Sequence, residues 1–367
     1  MTPEPAATSE LTLAELGWTL DRAEAFEPRA AEGLMPGRVV SSSGVTMAAT
    51  AEGLRQVVVQ RAFMRSVVAR TELPTIGDWL SLAPQASSSR LALLRSVLTR
   101  HSTFTRQRLF DGQPQVLAAN VDIAFLVSGL DQDLNLRRIE RYLVLAHDGG
   151  VLPVLVLNKA DVATDLAAAM AAVETVAGGV QVVVVSAATG DGLDAISAII
   201  EPGMTACLLG SSGVGKSTIT NALLGEQRQA VKALREDDSR GRHTTTHREL
   251  FALAGGGLLI DTPGLRSVGV LGDGEALERS FDDVESLARS CRFADCQHGS
   301  EPGCAVQAAI EAGTLSPSRL ASYRELEVER RSVELRAAAR AQREAQRGRS
   351  RCYRRTSRDA TRLKRGD

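Results

Sequence analysis

Aromatic side chains are scarce, with two Trp, three Tyr and eight Phe in 367 residues. That scarcity argues against a broad base-stacking surface. No stretch approaches the ~20 apolar residues that a membrane-spanning helix needs. The start, MTPEPAATSE, has neither the basic cluster nor the apolar run of a secretory signal. A cytoplasmic protein with no membrane partner is expected. Cysteine is sparse too, and its five copies are odd in number. Three of them fall between 291 and 304, which in a reducing compartment reads as metal binding before disulfides. Net charge is also lacking, at −1 for the whole chain.

That balance hides an asymmetry. Residues 330–367 carry thirteen Arg and one Lys against Glu334, Glu344, Asp359 and Asp367, so the rest of the chain is acidic. A basic tail on an acidic body points to a polyanion such as nucleic acid. The competing reading is a solvated, partly helical tail that aids solubility. The length suggests two or three domains. The 44% hydrophobic and 24% charged residues are those of a soluble globular protein.

A short helix is expected around Leu11 to Phe26, anchored by Trp18. From Pro36 to Pro84 the runs GRVVSSSGVTMAAT, RQVVVQRAF and IGDWLSL are short, β-branched and broken by Gly, Ser and Pro. They predict a small β-barrel or sandwich, with an OB-type barrel the named candidate. From Val121 on, buried strands (VDIAFLVSG, VLPVLVLNK, QVVVVSA, MTACLLG) alternate with helical patterns. This predicts a doubly wound α/β domain with a mostly parallel sheet. Gly225 to His247 reads as a mobile polar loop, LFALAGGGLLIDTPG as a strand pair, and residues 272–328 as helices around a Cys/His cluster. The expected divisions are 1–30 (N-terminal segment), 31–88 (barrel), 89–271 (α/β domain), 272–328 (helical metal domain) and 329–367 (Arg-rich helical or disordered tail).

The segment Gly210-Ser211-Ser212-Gly213-Val214-Gly215-Lys216-Ser217, followed by Thr218, fits G-x-x-x-x-G-K-[ST] between a strand and a helix, the context the motif needs. Its glycines let successive N–H groups turn inward on phosphates at a helix N-terminus. Lys216 is expected to reach the β and γ phosphates, and Ser217 to give its hydroxyl to Mg²⁺.

A phosphate loop does not choose the base. Asn158-Lys159-Ala160-Asp161 ends a buried strand, where ligand sites of open α/β sheets lie. The Asp161 carboxylate can accept from guanine N1–H and its 2-amino group, and adenine would leave it unpaired. Asn158 is expected to tie this loop to the phosphate loop, and the Lys159 stem to cover the base. Ser186-Ala187-Ala188 is expected to offer a backbone N–H to the guanine oxygen. Farther on, Asp261-Thr-Pro-Gly264 places Asp261 to hold Mg²⁺ through water and the Gly264 N–H to touch the γ phosphate. Within Gly241-Arg-His-Thr-Thr-Thr246, Thr244 and Thr245 are candidates to close over Mg²⁺, without a choice between them. Leu265 stands where many GTPases carry a water-orienting glutamine, which predicts slow intrinsic hydrolysis. His243 is a candidate to order the water, weighed equally against an exposed loop histidine.

The base-reading elements precede the phosphate loop, whereas most GTPases begin with it, so the order is circularly permuted. The permutation sets the switch after Asp261 beside the carboxy-terminal region. With this order, the leading β region, GRHTTT, the Cys/His cluster, QPQVLAANVDIAFLVSGL and NLRRIERYL, the chain resembles the bacterial small-ribosomal-subunit-dependent GTPase A family (RsgA, or YjeQ) from about Leu16 to Tyr323. The resemblance implies an OB-fold domain, a permuted GTPase domain and a zinc domain, acting late in 30S assembly with hydrolysis stimulated by that subunit. The implied partners are the 30S subunit, its 16S rRNA and GTP or GDP. The long Arg-rich tail departs from the family pattern.

Cys291-x₄-Cys296-x-His298-x₅-Cys304 supplies three thiolates and an imidazole, a closed set of the kind that holds one structural Zn²⁺. Incidental cysteines are the alternative, since the spacing is not C-x₂-C. Cys207 reads as core and Cys352 as a bystander. Two other functions stay open. One is a permuted GTPase of large-subunit assembly, and the other a GTP-dependent RNA-binding module with negligible turnover. Nothing demands more than a monomer.

Overall fold

A computed structural model describes residues 11–67, 69–85, 90–107, 113–131, 134–225, 248–261, 274–336, 338, 339, 342 and 346. His243, Thr244, Thr245, Gly264, Leu265, Cys352 and most of the basic tail lie outside them.

The first helix comes later than Leu11 to Phe26. Residues 13–17 form turns and α1 spans Leu20–Ala31. Gly17 stops anything earlier: its φ is +83°, and a Cβ there would lie 2.5 Å from the Gly203 carbonyl oxygen. Thr19 then caps α1 by accepting from the Arg22 N–H. Trp18 does anchor the segment, edge-on to Trp79 with ring centroids 4.7 Å apart.

Five strands close the barrel: β1 (Met35–Ser43), β2 (Val45–Thr50), β3 (Gly53–Val58), β4 (Trp79–Pro84) and β5 (Leu91–Val97). Their order is β1-β2-β3-β5-β4, with β4 returning to β1. Pairing is antiparallel except between β3 and β5, and α2 (Arg61–Ser66) links β3 to the β4 side. Closure leaves no free edge, and this is the OB-type architecture. The fifth strand lies beyond residue 88, where the sequence pattern had suggested the barrel would end. A hairpin of β6 (Thr103–Gln107) and β7 (Pro114–Ala119), which the pattern did not suggest, leads on to the α/β unit.

The second sheet has β8 (Ile123–Gly129), β9 (Leu152–Asn158), β10 (Val182–Val184), β11 (Thr205–Leu209), β12 (Glu249–Ala252) and β13 (Leu258–Asp261). The order is β10-β9-β8-β11-β13-β12, all parallel except β12. Every residue of β8 is buried. Ile123, Phe125 and Val127 face a core shared with Ile196 and Ile219, while Ala124 and Leu126 face another shared with Leu143 and Val173. Those helical residues belong to α5 (Leu193–Ile199), α6 (Lys216–Leu224), α3 (Leu136–Asp148) and α4 (Leu166–Ala177). Helices therefore cover both faces, which explains the unbroken Val/Leu/Ile runs. The β1 strand also pairs with β12, Ser41 opposite Glu249, which joins barrel and sheet.

Carboxy-terminal to the sheet are α7 (Glu275–Ser280), α8 (Asp282–Ala288), α9 (Ala305–Glu311) and α10, residues 317–336. Of these, α7 and α10 pack on α3, where the Arg319 guanidinium of α10 meets Glu140 at 2.8 Å and lies 4.1 Å from the centre of the Phe281 ring. Among the described residues no helix is long and apolar enough to cross a membrane.

Candidate nucleotide and metal sites

Strand connections run in opposite directions on either side of β8 and β11, and the crevice at their carboxyl ends is where such sheets bind ligands. The base loop leaves β9 there and the phosphate loop leaves β11. One side chain joins them. Asn158, buried, donates from Nδ2 to the Val214 carbonyl at 2.8 Å and accepts at Oδ1 from the Ala187 N–H at 2.9 Å. All three segments named from the sequence thus meet at Asn158. Gly215 makes the approach possible, because its φ is +97° and a Cβ would sit 2.1 Å from Asn158 Nδ2.

Around that junction, the Ser186 hydroxyl donates to Asp161 Oδ1 at 2.6 Å, which fixes one oxygen of an otherwise exposed carboxylate. The Ala160 N–H bonds the Val185 carbonyl at 3.1 Å. Lys159 has φ +67° and its ammonium reaches Asp131 at 2.5 Å. The Ala187 N–H is taken by Asn158, and the next residue, Ala188, is exposed at the crevice.

In the phosphate loop, Ser212 and Gly213 are exposed and Val214 is buried, so the loop hangs from its valine. Lys216 Nζ donates to the carbonyls of Gly210, at 2.8 Å, and Ser211. It spans the loop as a brace. Ser217 and Thr218 are exposed at the N-terminus of α6. Asp261 ends β13, the neighbour of β11, half-buried on the same side of the sheet. A hydroxyl and a carboxylate there are the hard oxygen donors that Mg²⁺ takes. Cys207, on β11, is fully buried; burial pushes its thiol pKa up, as befits a core residue.

The second cluster is built by the loop between α8 and α9. Cys291 Sγ lies 3.8 Å from Cys304 Sγ, and His298 Nδ1 lies 3.5 and 3.6 Å from these two sulfurs. Cys296 completes a set whose ligand atoms fall within 4.8 Å of one another. A tetrahedral ion with bonds of about 2.3 Å to sulfur and 2.05 Å to nitrogen sets these edges at about 3.8 and 3.6 Å. The residues fit such an ion. Outer contacts hold the ligands: the Gln307 N–H donates to Cys304 Sγ at 3.4 Å, and the Gln307 amide and Arg324 both donate to the His298 carbonyl.

The family model described as RsgA GTPase matches residues 97–271. The chain is 46% identical over 329 residues to the small ribosomal subunit biogenesis GTPase RsgA of Opitutus terrae, covering 87% of this chain and 90% of that one. Against the protein of the same name from Streptomyces coelicolor it is 45% identical over 351 residues, covering 94% and 93%. The chain belongs to the RsgA GTPase family. It is accordingly a GTP-hydrolysing enzyme. Among solved structures, YjeQ from Thermotoga maritima superposes with a TM-score of 0.60 at 26% identity, covering 81% of this chain and 98% of that one. The structure of YloQ, a circularly permuted GTPase, shares the fold at a TM-score of 0.57 and 23% identity, covering 82% of this chain and 96% of that one.

Sequence reasoning missed Asp131, the partner of Lys159. Its signal was a Gly followed two residues on by Asp at the end of a fully buried strand beside the base strand. Arg38, Glu140 and Arg319, which hold the flanking regions in place, left no local signal.

Proposed function

We propose that the chain hydrolyses GTP to GDP and phosphate in the crevice at the ends of β8, β9 and β11, and works through that cycle in biogenesis of the small ribosomal subunit. Asn158 carries the reading, because one buried amide ties the base loop, Ala187 and the phosphate loop into a single cradle. Asp161, oriented by Ser186, accepts from the guanine edge, and the Lys159 stem covers the base. Ala188 donates to the guanine oxygen. The N–H groups of residues 210–218 and the Lys216 ammonium hold the phosphates. Ser217, and Asp261 through water, would hold a Mg²⁺ whose charge would offset that of the phosphates. Gly264, Thr244, Thr245 and His243 complete the switch side in this proposal. With Leu265 after Gly264, turnover by the free protein is slow and binding of the 30S subunit accelerates it.

The Cys₃His cluster holds one structural Zn²⁺, a choice supported by three thiolates, one imidazole and no open fourth position. The proposed ribosomal role rests on the relatives named above, and we extend it to binding of 16S rRNA by a cytoplasmic monomer. Co-sedimentation tests the partner. A non-hydrolysable GTP analogue should carry the chain down with 30S subunits, and GDP should release it. Pelleting with 50S subunits instead would refute the assignment.

A further inference from the structure

We propose that Asp131 is a positioning residue for the nucleotide base: it holds the Lys159 side chain so that its apolar stem is set in place to cover one face of the purine. The inference rests on the guanine-binding reading of Asn158 to Asp161 and assigns a role to a residue outside that loop.

The argument begins with Lys159. Its left-handed backbone, φ +67°, turns the side chain back toward the end of β8. There Asp131 Oδ2 receives the ammonium at 2.5 Å, and the two side chains are only 29% and 34% exposed. At that burial the pair is screened less than a surface ion pair. The end of β8 is itself fixed, because the Leu130 N–H donates to the Asn158 carbonyl at 2.8 Å. The base loop and Asp131 are therefore tied through both backbone and side chain.

Gly129 provides an independent sign that this geometry is built in. A Cβ at Gly129 would lie 2.5 Å from Asp131 Oδ1 and 3.7 Å from Lys159 Cδ. The carboxylate folds back over the space that Gly129, lacking a side chain, leaves open. A lysine stem has four rotatable bonds, and anchoring its ammonium removes that freedom before the ligand arrives. Stacking of a methylene stem on a purine does not discriminate guanine from adenine. Base choice belongs to Asp161, held by Ser186. Two carboxylates thus divide the work, Asp161 on the base edge and Asp131 on its face.

Fluorescent-GDP titration and steady-state GTP hydrolysis with 30S subunits, both on the full chain, test this. Asp131→Ala should raise the Kd for GDP and the KM for GTP together, by about three- to fivefold for a partly buried ion pair. The kcat and the preference for GTP over ATP should hold. Gly129→Ala, which displaces the carboxylate, and Asp131→Asn, which keeps its shape, should do the same and guard against a folding defect in any one variant. In a Lys159→Ala background Asp131→Ala should add nothing. Unchanged Kd in all three single variants, or an additive loss in the Lys159→Ala background, would overturn the inference while the GTP reading stands. Failure of the wild type to bind GDP would overturn both.

Discussion

Two buried arginines fasten the flanking regions to the central sheet, and their surroundings are opposite in kind. Arg38, on β1 of the barrel, is ringed by neutral acceptors: the carbonyls of Leu16, Gly77 and Asn120 and the Thr205 hydroxyl. Burial drives its pKa down to about 10, with the charge of Asp122 acting against the fall, so it stays cationic at neutral pH. Arg319 lies between Glu140 of α3 and Asp283 of α8. Burial pulls its pKa down as well, but hydrogen bonds to the two carboxylates outweigh that and raise it. The barrel is thus joined through a cradle of neutral acceptors from four chain segments, and the carboxy-terminal helices through the charge pair of Arg319 with buried Glu140. A cradle has no single partner whose removal compensates for loss of the arginine, whereas a charge pair has one.

The largest effect should come from removing the metal proposed for the Cys₃His cluster, which lies beside only one of these junctions. Structural zinc sites contribute on the order of 10 kcal/mol to folding at pH 7. Chelation, or Cys304→Ser, should abolish hydrogen-exchange protection in residues 291–330 while β1 to β5 keep theirs. Loss of protection in the barrel as well would mean that the two junctions are not independent. Next in size is Arg319→Met, which strands Glu140 at 2% exposure and should cost about 3–5 kcal/mol in urea unfolding. Adding Glu140→Leu should recover most of that loss, since Asp283 is 44% exposed and remains hydrated. Arg38→Met orphans the buried Leu16 and Asn120 carbonyls at about 1–3 kcal/mol each, while the Gly77 carbonyl keeps the Asn120 amide as a donor. No single second substitution should rescue it, and a rescue by Thr205→Val alone would break the comparison.

The smallest effect is a pH dependence on the α3 side. The Ser280 hydroxyl donates to the Ala276 carbonyl, so His147 Nδ1–H is the donor in its 2.9 Å contact with Ser280. Burial lowers the His147 pKa, with Arg279 adding to the shift. The unfolded chain therefore binds the proton more readily, and stability falls as pH drops below about 6.5, levelling off under the folded-state value. His147→Asn should flatten that slope in thermal melts at pH 7.5 to 5.5. An unchanged slope would assign it to another group.

The contrast between these junctions and the nucleotide crevice also explains what could be read in advance. The phosphate loop, the base loop and the Cys/His cluster were legible because their chemistry requires particular residues at fixed spacing, at strand ends that hydrophobic runs reveal. The barrel was legible as β structure, but β5 was not assigned to it, since LALLRSV carries no mark of which sheet it joins. The first helix was misplaced because Gly17 turns left-handed, φ +83°, in close packing with Gly203, a residue far along the chain. Arg38 and Arg319 look like any solvated arginine in sequence, yet their partners Thr205 and Glu140 lie 167 and 179 positions away. Asp131 was hidden for the same reason, one acidic residue in a polar turn until β8 and β9 are laid side by side.

The most direct test of the proposed function is GTP hydrolysis by the purified full chain, alone and with 30S or 50S subunits, with ATP as control and Lys216→Ala as blank. Slow turnover alone, strong stimulation by 30S only, and no activity with ATP or in Lys216→Ala are the predicted results. Equal turnover without ribosomes, stimulation by 50S, or hydrolysis of ATP at a similar rate would contradict the proposed partner or the assignment of Asp161 as the reader of guanine.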